Sequence, residues 1–144
     1  MRKIDIFFYG LFMDEELLRS KGVRPTHLRL ASVSGFQLRI GDRATLVPAE
    51  SGRVFGLVTS LSHAEVEQLY SEPSVRAYRP EAVLASLSNG EIRAALCFNL
   101  PEPPSASERN DDYVFKLLSL AQRLRFPADY IASIVKSGIA DDSA

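Results

Sequence analysis

The sequence predicts an α+β domain: a small mixed β-barrel or curled sheet of about six strands with peripheral helices, followed by a helical C-terminal extension. Three observations lead there. Apolar residues recur with period two in several segments, as in Ile4-Ile6-Phe8 and Phe36-Leu38-Ile40. Glycines at 35 and 56 interrupt two such segments, the kind of bend that curls a sheet. Helix signals with caps are interleaved early and dominate the last third.

Bulk properties narrow the class. A chain of 144 residues with 46% hydrophobic and 24% charged residues is one ordinary soluble domain. A net charge of −1 gives no electrostatic reason to expect nucleic acid or an anionic membrane as partner. Cys97, the single cysteine, excludes an internal disulfide and a cysteine-rich metal site. No apolar run approaches the ~20 residues of a membrane span. Arg2-Lys3 is followed at once by Asp5 with no apolar stretch behind it, so the expected location is the cytoplasm.

The elements follow in order. Ile4 to Phe8 is a strand that runs into Tyr9-Gly10, where glycine permits a left-handed turn and leaves room for a ligand. Asp14 caps a short helix with Glu15 and Glu16 in its first turn, and Gly22 ends it. Leu28 to Ile40 is a long strand bent at Gly35. Ala44 to Pro48 is a short edge strand, and Ser51-Gly52 a turn into a central strand, Arg53 to Leu61. Ser62-His63-Ala64-Glu65 is a capping box opening a helix that stops by Pro73. Ala82 to Leu87 and Ile92 to Phe98 form a hairpin whose Asn89-Gly90 suits two positive φ values. Pro101 to Ser107 is a linker, and Tyr113, Leu117, Leu120, Ala121 and Leu124 mark the face of a helix beyond it. A second helix follows Pro127. Residues 1–100 thus form the barrel, and residues 101–144 a Pro-rich linker with helices packed on the same domain.

Chemistry has few carriers. His27, His63 and Cys97 lack metal-ligand spacing, and no Gly-rich nucleotide signature or serine elbow occurs. Backbone N–H groups after Gly10 can hold an anion at a helix start. Glu72, at the end of the capped helix, is the carboxylate placed for proton transfer, with withdrawal from water expected.

The order of these features resembles the γ-glutamylcyclotransferase-like (AIG2-like) family. The family's opening Tyr-Gly loop stands here as Tyr9-Gly10-Leu11-Phe12-Met13. Its Gly-x-Val-x-Gly strand is Gly52-Arg53-Val54-Phe55-Gly56. Its catalytic Glu falls on Glu72 in Leu69-Tyr70-Ser71-Glu72-Pro73, and its Tyr-Arg pair on Tyr78-Arg79. Leu11 replaces a Ser or Thr, Tyr70 an Asp and Pro73 a Gly. The resemblance spans residues 4 to about 99 and implies a cavity between the Tyr9–Phe12 loop and Glu72. The implied reaction cyclises a γ-glutamyl amide or peptide to 5-oxoproline with release of an amine. Glu72 is then the general acid/base, and Tyr9, Gly10, Leu11, Phe12, Tyr78 and Arg79 bind substrate. No metal or organic cofactor is called for, the partner is a small molecule, and a homodimer is compatible. The rivals are a non-catalytic small-ligand or protein binding module on the same fold, and a related enzyme acting on another small amine or amide.

Overall fold

A computed structural model describes residues 2–138. Five strands close into a barrel in the order β1-β3-β2-β4-β5. They are β1 (Lys3–Phe8), β2 (Thr26–Ile40), β3 (Ala44–Ser62), β4 (Arg79–Leu87) and β5 (Ile92–Asn99). All neighbouring pairs are antiparallel except β1 and β5, whose parallel contact at Ile6 and Leu96 completes the circle. The barrel is therefore mixed, as its sequence suggested.

The strand count falls to five because residues 44–62 form one strand, not an edge strand and a central strand. Ser51-Gly52 is accordingly no turn between strands. Ser34 pairs with Arg53 and Phe36 with Pro48, so residues 49–52 bulge opposite Gly35. Two glycines make this feasible. Gly35 takes a φ of +88°, and Gly52 passes the Phe36 carbonyl so closely that a Cβ would collide with it. At the β4–β5 hairpin only Gly90 is left-handed, at φ +90°, so the turn does not use two positive φ values.

Among the described residues four α-helices surround the barrel: α1 (Glu15–Ser20), α2 (His63–Leu69), α3 (Asp111–Arg123) and α4 (Ala128–Gly138). Local chemistry sets their starts. The Asp14 carboxylate accepts the Glu16 amide at 3.0 Å. The Ser62 hydroxyl accepts the Glu65 amide at 3.2 Å while the Glu65 carboxylate accepts the Ser62 amide at 2.9 Å. Leu18 and Leu69 are fully buried and anchor α1 and α2 on the barrel.

The C-terminal helices share this core. Leu117, Ala121 and Ile134 are fully buried. Phe55 of β3 meets Tyr130 of α4 edge-on, with ring centroids 5.2 Å apart. The linker is fastened to the β2–β3 turn, where Glu108 accepts the Asp42 amide at 3.1 Å and Asn110 donates to the Asp42 carbonyl at 2.9 Å. Asn110 also caps α3 by accepting the Tyr113 amide at 3.0 Å. No helix among the described residues is long and apolar enough to cross a membrane.

Candidate active site

Where β1 ends, Tyr9 and Gly10 lead into a 3-10 turn, Leu11–Met13. The Tyr9 hydroxyl donates to the Phe98 carbonyl at 2.8 Å, which ties the loop to β5 beside the barrel seam. Burial holds this phenol neutral, with its pKa pushed well up. The turn is closed by the Met13 amide donating to the Gly10 carbonyl and the Asp14 amide to the Leu11 carbonyl, each at 3.0 Å.

Gly10 departs from expectation. Its φ is −115°, so no left-handed turn is present. Glycine is needed because the Tyr113 hydroxyl of α3 lies where a Cβ would stand. The room at Gly10 is thus filled by the protein's own C-terminal region. Burial raises the Tyr113 phenol pKa, partly offset by the Leu11 backbone, so the ring presents a neutral hydroxyl to the loop.

A cavity of about 310 Å³ opens beside this loop. Tyr9, Gly10, Leu11, Phe12, Glu72 and Tyr78 all line it, so six of the seven residues singled out in the sequence meet at one place. Its walls are chiefly aromatic. Phe12 packs edge-on to Phe8 and to Tyr70, each at 5.7 Å, and Tyr70 stacks on Phe98 at 4.0 Å. Tyr78 donates its hydroxyl to the Ala44 carbonyl. Burial pushes its pKa up to about 12, with Arg43 opposing the rise.

Arg79 does not belong to this set. It is exposed, and its guanidinium donates to the carbonyls of Arg76, Ala77 and Tyr78 at 3.2–3.4 Å. Consecutive residues entering a strand point to opposite sides, so Tyr78 facing the cavity sends Arg79 away from it.

Glu72 lies in a turn after α2, its carbonyl accepting the Val75 amide at 3.0 Å and the Arg76 amide at 2.9 Å. Its carboxylate is not withdrawn from water as expected: the side chain is 40% exposed. Lys21 accounts for its position. Lys21 Nζ donates to Glu72 Oε1 at 2.7 Å, and Gln68 holds the lysine's carbonyl at 2.6 Å. Glu72 Oε2 makes no hydrogen bond among the described residues, and a carboxylate has acceptor positions to spare.

Lys21, Arg43, Tyr70, Phe98 and Tyr113 also line the cavity and were not recognised as site residues from sequence. Cys97 is fully buried, and burial pushes its thiol up to about 12, which makes it a poor nucleophile. Among the described residues no group of three His, Cys, Asp or Glu could hold a metal ion. The arrangement supplies one carboxylate with a free acceptor oxygen, two cations and neutral phenols around an aromatic pocket. It can bind a small polar group and exchange a proton with it.

No protein-family model matches the sequence, and no curated protein matches it. Solved structures do resemble the fold. A γ-glutamyl cyclotransferase aligns with a TM-score of 0.79 at 16% identity, covering 98% of this chain and 90% of its own. An uncharacterized protein from Homo sapiens aligns at 0.77 and 18% identity, covering 99% and 91%. An AIG2-like protein from Mus musculus aligns at 0.55 and 13% identity, covering 80% and 84%. The described architecture, C-terminal helices included, is therefore the γ-glutamylcyclotransferase-like fold.

Proposed function

We propose that this protein is a γ-glutamylcyclotransferase-type enzyme that converts a γ-glutamyl amide or peptide into 5-oxoproline and a free amine. The observation that carries the reading is that the Glu72 carboxylate and the Tyr9–Phe12 loop line one cavity. The chemistry needs a base there. The substrate's α-amine is protonated at neutral pH, with a pKa of about 8, and cannot attack its own γ-carbonyl until the proton leaves. Glu72 Oε2 takes that proton. The amine nitrogen then bonds to the γ-carbon and gives its second surplus proton to solvent, the amide C–N bond breaks, and Glu72 returns the first proton to the departing amine. The loop's backbone N–H groups orient the substrate carboxylate for five-membered ring closure. The proposed scheme uses no cofactor.

The Lys21–Glu72 ion pair and the Leu11 substitution favour a second reading, a binding module on the same fold that takes small carboxylates without turning them over. Release of 5-oxoproline from a panel of γ-glutamyl amino acids and amines separates the two. Turnover of any panel member that depends on Glu72 supports the enzyme. Saturable binding of panel members without product supports the module.

A further inference from the structure

A second cavity, of about 530 Å³, lies away from the aromatic one, bounded by β2, β3, the Pro-rich linker and α4. We propose that it is a binding site for a small phosphate-bearing molecule. Three cations from three separate elements line it: Arg39 of β2, Arg53 of β3 and Lys136 of α4. None of the three forms an ion pair among the described residues. The acid in the lining, Glu108, is already engaged. Its two oxygens accept the Asp42 amide at 3.1 Å and the Ser105 amide at 3.0 Å, and those bonds hold its carboxyl below the usual range. Its charge fastens the linker and forms no ion pair with the three cations among the described residues.

The wall is also preorganised. Arg53 lies over the Phe55 ring at 5.7 Å, and Phe55 in turn meets Tyr130 and Phe126 at 5.2 and 6.0 Å. Tyr130 lines the cavity and carries the one buried side-chain oxygen without a hydrogen-bond partner among the described residues. The Phe55 backbone lies beside that hydroxyl and opposes the rise in pKa that burial causes.

Three cations against one committed acid exceed what a single carboxylate needs, whereas a phosphate carries two charges and several acceptors that suit guanidinium forks. The concave shape and a volume within the small-molecule range favour a compact ligand over a polymer, in keeping with the chain's net charge of −1.

Calorimetric titration of the full chain with inorganic phosphate, pyrophosphate and ribose 5-phosphate, at ionic strength matched with sodium chloride, tests the proposal. Saturable binding of at least one probe is expected, with pyrophosphate binding more tightly than phosphate if charge alone is read. Tighter binding of ribose 5-phosphate would identify an ester as the preferred source. Replacing Arg39 and Arg53 together by Gln should weaken binding by about tenfold or more. Lys136 is exposed, so Lys136→Gln repeats the test without threatening the fold, with a loss of several-fold expected. Lys21→Met, in the other cavity, should leave the affinity unchanged. The proposal is overturned if no probe saturates at matched ionic strength, if the Gln variants bind as wild type does, or if Lys21→Met abolishes binding.

Discussion

The aromatic cavity beside Tyr9 and the basic cavity beside α4 share only β3 among the barrel strands and have opposite chemistry. In the first, cations are few and Lys21 is already paired with Glu72, while rings cover the walls. In the second, three cations that form no ion pair among the described residues share the lining with an acid committed to backbone amides. A ring-lined pocket beside one partly exposed carboxylate suits proton exchange with a bound small molecule, and a basic pocket suits holding an anion unchanged. The C-terminal region serves both. Tyr113 of α3 closes on the first cavity, and Lys136 of α4 lines the second.

That shared dependence offers the strongest way to break the contrast. Leu117 of α3 is fully buried in the core, so Leu117→Ala should cost about 2–5 kcal/mol in chemical denaturation. Both cavities should loosen with it, whereas an unchanged denaturation midpoint would make the helices an independent appendage. Gly10→Ala acts at one cavity only. Its methyl meets the Tyr113 hydroxyl, and overpacking of this kind costs about 1–3 kcal/mol. Adding Tyr113→Phe to Gly10→Ala should recover part of that loss, while strictly additive losses would mean that Tyr113 is not what demands the glycine.

Alkali should weaken the fold through the buried acids near the aromatic cavity. Cys97 and Tyr78 are held at about 12, above ordinary values of 9 and 10. Between those values the unfolded chain gives up protons that the folded chain keeps, so stability falls as pH rises from about 9 toward 12. Denaturation midpoints measured across that interval should decline steadily, and the decline should shrink in Cys97→Ala. The smallest effect is that of Lys21→Met on stability. The ion pair with Glu72 is partly exposed, so less than about 1 kcal/mol should be lost, and a larger loss would show that Lys21 supports the fold and not merely the carboxylate.

How much of this was readable beforehand follows from how far each signal reaches along the chain. The Ser62–Glu65 capping box and the Asp14 cap could be read because donor and acceptor lie within three residues. The meeting of Tyr9 with Glu72 rested on an ordered set of short motifs, each weak alone. Tyr113 could not be recognised, since its helical spacing marked it as a core-facing residue and nothing local pairs it with Gly10. Arg43 and Lys21 were equally silent, being surface-type residues until the barrel closes beside them. Read locally, residues 44–62 divide into two strands because Pro48 and Gly52 normally interrupt pairing. The bulge opposite Gly35 absorbs both within one bent strand.

The central claim is that the Glu72 carboxylate performs proton transfer in the aromatic cavity. Glu72→Gln tests it most directly, because the amide keeps the size and removes the titratable group. Measured as 5-oxoproline release from the best γ-glutamyl substrate, turnover should fall by about 10²–10⁴, the usual worth of a positioned acid/base, with the melting temperature nearly unchanged. Turnover well above background and equal in the two proteins would contradict the claim and assign the proton transfer elsewhere.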